Sequence, residues 1–207
     1  AAINPDASTL TVAPPSAFGF STGAPADIQV NGPLLRAAQS QTLSLTGGDI
    51  DIVDGNLYAP DGQVVLASVA SPGEVALDPA NISMDGFESL GNINISNPSG
   101  SFPFLGLGEV GNLDVSTAVP GDTQGGGKII IRGGDFYLDD GLLRAEVIES
   151  IDGGGIDVKV SGTASLSGNA RVFTRTFVFD GAAGPVTIDA NTILMADDTD
   201  IRSDTAG

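Results

Sequence analysis

The chain has 207 residues, of which 26 are acidic and 8 are basic, giving a net charge of −18. A field of this sign repels phosphate backbones and anionic lipids, so we expect neither nucleic-acid binding nor membrane-surface binding. Cysteine and histidine are both absent, which excludes disulfide bonds, Ser-His-Asp catalysis and zinc sites built on those residues. No stretch reaches the roughly 18 apolar residues of a membrane-spanning helix, so we predict no membrane insertion.

The composition also indicates the fold class. The 29 glycines and 12 prolines separate short stretches in which apolar residues alternate with Thr, Ser and Asp. This alternation is the period-two pattern of β-strands. A hydrophobic fraction of 41% is too high for a disordered chain. We therefore predict an all-β fold.

Residues 1–40 do not follow a regular pattern. They contain the adjacent prolines Pro14 and Pro15, which prevent regular strand pairing, and the bulky Phe18 and Phe20. We predict an irregular or capping segment over 1–40 and a repetitive body over 41–207.

A seven-residue spacing begins in the next segment. Leu43, Ile50, Leu57 and Val64 lie seven residues apart, with Gly-Gly or Asp-Gly turns between them. These turn residues tolerate the backbone of tight corners. Three such units make one 21-residue turn of the chain, which predicts that Val64 stacks on Leu43.

The same spacing returns at Ile129, Phe136 and Leu143. Alignment of the Gly-Gly-Asp triplets at 47–49 and 133–135 predicts that two pairs of residues lie side by side. These pairs are Asp49 with Asp135, and Leu57 with Leu143.

Three later stretches begin with a glycine cluster followed by a β-branched run, at 125–134, 153–162 and 181–189. Their anchors Ile129, Ile156 and Val186 lie 27 and 30 residues apart. Recurrence at this period is typical of stacked architectures. We predict a right-handed parallel β-helix with three short strands per turn and loop excursions. A β-propeller fits less well, since its blades are about 40 residues long and aromatic anchors are scarce here.

The longest interruption of the repeat lies near 97–127. Residues 97–108 carry prolines and phenylalanines, and 118–127 form a second loop. Two interpretations remain open for these loops. They are either caps packed on the shaft or contact patches for a neighbouring subunit, because exposed Phe and Leu often mark interfaces.

Four stretches carry a family resemblance: PPSAFGF at 14–20, QTLSLTGGDIDIVDGNLYAPDGQVVLASVASPGEV at 41–75, GGGKIIIRGG at 125–134 and GGGIDVKVSGTASLSGNARV at 153–172. In this order they resemble the filamentous haemagglutinin-like exoproteins of two-partner secretion systems. The resemblance implies a secreted, rod-like, right-handed β-helix that acts as an adhesin or surface fibre. It also implies export through an outer-membrane β-barrel transporter and a location outside the bacterial cell.

One motif departs from that family. Its secretion module begins with NPNG-type motifs, whereas this sequence has only Asn4-Pro5-Asp6. We therefore expect either a secretion signal upstream or a shaft segment that follows the secretion module. The family has no shared active site, so the resemblance implies no catalytic residue.

Carboxylates are the only abundant reactive groups. Some β-helices are polysaccharide lyases or hydrolases that use acidic clusters. The candidate cluster here contains Asp135, Asp139 and Asp140 near Arg132 and Arg144, with Asp49, Asp51 and Asp54 on a comparable face. Acids in Asp-Gly turns more commonly hydrogen-bond their own backbone, so we predict turn residues and no catalytic site.

Other polar groups give no clear site. Arg171 and Arg175 form a close basic pair that is too small for an anion-binding groove. Asn81 and Asn94 begin glycosylation-type triplets, which we interpret as structural. The acids near the C-terminus are Asp197, Asp198, Asp200 and Asp204. They lack the spacing of a calcium loop, so we predict no cofactor and no metal beyond weak, adventitious Ca²⁺.

The sequence as a whole predicts a non-enzymatic, secreted segment of a bacterial surface fibre. Its expected partners are the outer-membrane transporter, host or biofilm glycans, and other copies of itself stacked head to tail through 1–21 and 197–207, since unpaired strand ends need a cover. A carbohydrate-active β-helix enzyme and a passive glycan-binding shaft are the alternatives.

Overall fold

The structure is a computed structural model that describes residues 16–21, 23–78, 82–105, 108–117, 125–148, 151–177 and 180–205. Within these ranges the chain forms strands and turns but no helix, which confirms the all-β prediction. No helix of these residues is therefore able to cross a membrane. Some residues that featured in predictions from the sequence lie outside the described ranges, namely Pro14, Pro15, Asn81 and 118–124.

Most strands belong to three parallel sheets, numbered here by the order in which the chain reaches them. Sheet 1 contains β2 (Ile28–Asn31), β5 (Ile50–Val53), β9 (Ile93–Ser96), β14 (Phe136–Asp139), β17 (Thr163–Ser167) and β20 (Thr192–Met195). Sheet 2 contains β3 (Leu34–Arg36), β6 (Asn56–Tyr58), β12 (Leu113–Asp114), β15 (Leu142–Val147), β18 (Arg171–Thr176) and β21 (Asp200–Thr205). Sheet 3 contains β4 (Thr42–Gly47), β7 (Gln63–Ser68), β13 (Lys128–Gly133), β16 (Gly155–Val160) and β19 (Val186–Asp189).

The chain visits the three sheets in a fixed rotation, from sheet 1 to sheet 2 to sheet 3 and back to sheet 1. Each strand pairs in parallel with the strand from the previous visit to the same sheet. This arrangement is compatible with a parallel β-helix. Strands β2 and β3 precede residue 41 and already belong to sheets 1 and 2, whereas the predicted boundary between an irregular segment and the body stays a prediction.

The predicted register is correct wherever the repeat is uninterrupted. Leu43 pairs with Val64, and Ile156 pairs with both Ile129 and Val186. The seven-residue spacing therefore places equivalent residues in neighbouring strands.

The two long-range pairs predicted from the Gly-Gly-Asp alignment are wrong. Leu113 of β12 lies between Leu57 and Leu143 and pairs with both. Likewise, β9 lies between β5 and β14, and it separates Asp49 from Asp135. Between residues 69 and 127 the chain adds one more strand to sheet 1, β9, and one more to sheet 2, β12. The loops before and after these strands interrupt the seven-residue spacing, so the spacing did not predict them.

The core is formed by side chains that alternate inward along the strands. Ile50, Ile93 and Phe136 are fully buried and adjacent in sheet 1, and Val64 and Ile129 are equivalent neighbours in sheet 3. Burying one such side chain contributes about 1.5–3 kcal/mol. The alternation that predicted strands thus also supplies the continuous apolar column that stabilises the sheets.

Two excursions pack against the outer faces of the sheets. Strand β1 (Ala17–Phe20) pairs antiparallel with β8 (Gly73–Ala76), and a small second core forms around Val69 and Phe87. The other excursion contains the hairpin of β10 (Phe104–Leu105) and β11 (Gly108–Glu109). It packs on sheet 2, because Asn56 Nδ2 donates hydrogen bonds to the carbonyls of Val110 (3.3 Å) and Gly111 (3.1 Å).

Tight corners use aspartate in the left-handed conformation, followed by glycine. Asp54, Asp61 and Asp140 have φ values of 52°, 53° and 52°, which Asp tolerates better than most residues. The following glycine serves a different purpose. A Cβ at Gly62 would overlap the Gln41 carbonyl oxygen of the adjacent strand's corner, so glycine allows the two corners to approach.

Candidate functional site

Of the six acids in the candidate cluster, five lie at two different corners of the molecule and Asp51 lies within β5. Asp49 and Asp135 lie between sheets 3 and 1, whereas Asp54, Asp139 and Asp140 lie where strands of sheet 1 end. Asp139 lies four positions after Asp135 along extended chain, which places their Cα atoms roughly 13 Å apart. This exceeds the carboxylate separation of about 5–9.5 Å used in glycoside hydrolysis.

At the first corner, side-chain oxygens join successive strands of sheet 1. Asp27 Oδ1 accepts from the Asp49 amide (3.0 Å), Asp49 Oδ1 from the Asn92 amide (2.7 Å), and Asn92 Oδ1 from the Asp135 amide (3.1 Å). Asp135 Oδ1 then accepts from the Thr163 amide (2.6 Å). We call Asp27, Asp49, Asn92 and Asp135 the corner column. The sequence predicted that these carboxylates would hydrogen-bond the backbone of their own turn. Instead, each accepts a hydrogen bond from the backbone of the next strand.

The second corner uses its acids in a similar way. Asp139 accepts from Ser167 Oγ (2.7 Å), and Asp140 Oδ1 accepts from both the backbone and side-chain amides of Asn169 (2.9 and 3.0 Å). The Asn169 donors lower the pKa of Asp140 below its usual value. Asp51 similarly accepts from the Asn94 side chain (2.7 Å). These carboxylates are therefore engaged as hydrogen-bond acceptors.

Arg132 does not contact the acids with which the sequence analysis grouped it. Its guanidinium forms a bidentate pair with Asp157, at 3.1 Å to Oδ1 and 2.8 Å to Oδ2, and Lys128 Nζ lies 3.6 Å from Oδ2. Burial raises the pKa of Asp157, but the hydrogen bonds and charges of Arg132 and Lys128 outweigh burial and hold that pKa below its usual value. This ion pair joins β13 to β16.

A buried charge cluster on sheet 2 was not found from the sequence. It contains Asp114, Arg144, Glu146 and Arg175. Arg144 pairs with Asp114 (Nη1 to Oδ2, 3.6 Å) and with Glu146, and Arg175 lies 3.5 Å from the second Glu146 oxygen. Only 1% of Asp114 and 5% of Glu146 is exposed. The cluster therefore connects β12, β15 and β18.

Burial controls the ionisation of two groups in this region. It raises the pKa of Asp114 above the usual value, although Arg144 and the amides of Ser116 and Gly111 oppose the shift. Burial, and then the charge of Asp114, raise the pKa of Tyr58 to about 12. Arg144 also donates to the Glu109 carbonyl, so the cluster anchors the β10–β11 hairpin. This arrangement indicates a structural role.

Two cavities beside the hairpin share one wall, the Arg171 side chain. The larger has a volume of about 440 Å³ and the smaller about 160 Å³. Together we call them the Arg171 groove. The lining residues are Asn97, Gly100, Phe102, Glu109, Asp140, Leu142, Arg144, Asn169, Arg171, Phe173, Asp198 and Asp200.

Arg171 and Arg175, paired in the sequence analysis, have different surroundings. Arg175 binds Glu146 and Asp204 and lies over the rings of Phe173 and Phe177. Among the described residues, Arg171 has neither an ion pair nor a ring contact. The alternation of Arg171, Phe173 and Arg175 along β18 was the available sequence signal, because it places all three on one face.

Three of the C-terminal acids have separate partners, and Asp198 and Asp200 line the larger cavity of the Arg171 groove. Asp200 pairs with Arg202 (2.6 Å), Asp204 with Arg175 (3.7 Å), and Asp197 accepts from the Gly168 amide (3.2 Å). In the described part of the chain, no group of three acidic side chains has the geometry to hold a metal ion. The expectation of no cofactor stays a prediction.

Comparison of the chain with protein-family models, with characterised proteins and with solved structures gives no match. The resemblance to filamentous haemagglutinin-like exoproteins therefore stays a prediction from the sequence motifs.

Proposed function

We propose that the chain is a segment of a secreted, non-enzymatic surface fibre built as a right-handed parallel β-helix with three strands per turn. The observation that carries this proposal is the fixed rotation among the three parallel sheets, from β2 to β21. Right-handed geometry is supported by the strong preference for right-handed connections between parallel strands of one sheet. An adhesive or structural role follows from the family resemblance.

The arrangement of the polar groups also favours a structural role. Asp49, Asp135 and Asp140, which an enzyme would need free, accept backbone hydrogen bonds from neighbouring strands. The apolar column runs from Ile50 to Ala164 in sheet 1 without a polar interruption at the inward positions. Side chains and backbone therefore both contribute to holding strand to strand.

Export through an outer-membrane β-barrel transporter and a location outside the cell belong to the same proposal. Immunogold labelling of intact native cells, with antibodies raised against the 207-residue chain, tests both. We expect label on surface fibres and its loss when the transporter is deleted. An antibody against a cytoplasmic protein is the control for cell integrity. Label that appears only after permeabilisation would contradict the proposal.

Self-association is the remaining part of the proposal. Ile193 and Met195 continue the inward columns of sheet 1, beyond Ala164 and Leu166, yet they are 47% and 52% exposed. Exposed apolar residues at core positions are covered by further β-structure, either a continuation of the same chain or another molecule. A second copy stacked head to tail is the partner that we propose.

A further inference from the structure

Arg171 is unusual among the cations of this acidic protein. In the described part of the chain, six of the eight basic side chains contact an acid or an aromatic ring. The exceptions are Arg171 and Lys159. Lys159 is exposed on sheet 3, whereas Arg171 is half-buried between two cavities. A half-buried guanidinium without a partner leaves five donors for a ligand.

The groups around Arg171 suit a ligand with many hydroxyls. Asp198 offers a carboxylate, Asp140 offers its second oxygen because only Oδ1 is bound by Asn169, and the ring of Phe102 forms part of the wall. The volume of about 440 Å³ is within the range of small-molecule sites. Polar acceptors beside an aromatic face match the hydroxyl edge and the C–H face of a sugar ring.

The charge balance restricts the ligand further. Three acids, Asp140, Asp198 and Asp200, line the larger cavity beside the single Arg171, and they repel groups with a high density of negative charge, such as sulfate and phosphate. A single carboxylate has the planar geometry for a bidentate pair with Arg171. The groove therefore favours a polyhydroxylated ligand that carries no more than one singly charged carboxylate on each ring.

We infer that the Arg171 groove binds an oligosaccharide that contains uronic acid, with the uronate carboxylate on the Arg171 guanidinium. This inference rests on the proposed function, because it names the ligand class of the proposed extracellular shaft. The sugar hydroxyls donate to Asp140 and Asp198, and the sugar ring lies against Phe102.

Isothermal titration calorimetry on the 207-residue protein tests this binding. The probes are tetragalacturonate, tetraguluronate and a hyaluronan tetrasaccharide, and fully methyl-esterified tetragalacturonate is the neutral control. We expect at least one uronate to bind, and esterification or Arg171→Ala to weaken binding at least tenfold. Arg171→Lys keeps the charge but loses the bidentate geometry, so we expect an intermediate affinity.

Lys159→Ala is the matched control, since among the described residues Lys159 is the other basic side chain with neither an ion pair nor a ring contact, and its removal should leave affinity unchanged. Circular dichroism checks that each variant is folded. Binding of none of the three uronates, equal binding of the ester, or unchanged binding in Arg171→Ala would each overturn the inference. Failure of this test leaves surface labelling unaffected, whereas intracellular labelling would contradict the proposed function whether or not a uronate binds.

Discussion

Asp135 holds two neighbouring strands of sheet 1 together through one carboxylate. Its Oδ1 accepts from the Thr163 amide at 2.6 Å, so Asp135→Ala leaves that donor without its acceptor. We expect a loss of about 1–2 kcal/mol in the free energy of unfolding, measured by urea denaturation. Asp135→Asn keeps an oxygen acceptor, so its free energy of unfolding should fall much less.

Asp189→Ala provides the comparison for Asp135. Asp189 is exposed on β19, and its side chain has no hydrogen bond or ion pair among the described residues. Equal destabilisation by Asp189→Ala and Asp135→Ala would show that lost charge, and not the corner hydrogen bond, causes the effect.

Asp157 should make folding stability sensitive to acid. Burial raises its pKa, but Arg132 and Lys128 outweigh burial, so the pKa in the folded protein lies below the unfolded value of 3.8. The stabilisation is therefore fully present above about pH 4 and is lost as the pH falls through the folded-state pKa. We expect the stability difference between wild type and Asp157→Asn to shrink between pH 7 and pH 3, measured by urea denaturation.

Asp189→Asn makes the same change in net charge on the same sheet without removing an ion pair. A constant difference between wild type and Asp157→Asn across this pH range would contradict the assigned role of Asp157.

The buried charge cluster connects β12, which the sequence did not predict, to β15 and β18. Arg144→Met leaves Asp114 and Glu146 without their shared partner in a site where they are 1% and 5% exposed. Loss of one member of a buried ion pair costs about 3–5 kcal/mol, and we expect a thermal-denaturation midpoint many degrees lower. Arg202→Met breaks the exposed ion pair with Asp200. We expect it to lower the free energy of unfolding by about 0–1 kcal/mol. A similar loss of stability in both variants would show that the buried cluster stabilises the fold no more than an exposed ion pair does.

Regular strands were predictable because the information lies within about 20 consecutive residues. Leu43, Ile50, Leu57 and Val64 each begin or occupy a strand, and the turns between them contain no insertions. Strands β9 and β12 were missed for a physical reason. Excursions surround them, and β12 has only two residues, so no spacing marks their place in the sheets.

The Arg171 groove depends on residues that are close only after folding. Asp140, Asn169 and Asp198 come from successive visits of the chain to one corner. The spacing did predict that Ile129, Ile156 and Val186 are neighbours, and the same spacing brings these polar residues together. The missing information was which cations have partners, since Arg171 and Arg175 look equivalent in the sequence but differ in their ion pairs.

At the scale of the whole molecule, the last strand of sheet 1 provides a test of self-association. Ile193 and Leu194 are similarly exposed, at 47% and 53%, but Ile193 continues the inward column while Leu194 pairs with the outward-facing Ser165. We expect the sedimentation coefficient of the wild type to rise with concentration. Ile193→Lys should abolish this rise and Leu194→Lys should not. A wild-type protein that stays monomeric at millimolar concentration would disprove stacking.

The corner column has a direction. Each side chain from Asp27 to Asp135 accepts a hydrogen bond from the strand that follows it, and none needs to recognise a particular partner side chain, because the donor is a backbone amide. Duplication or deletion of one complete circuit of the chain would therefore leave the junction satisfied, provided that an Asp or Asn stays at the corner. The length of such a protein can then change by whole units during evolution without compensating substitutions elsewhere.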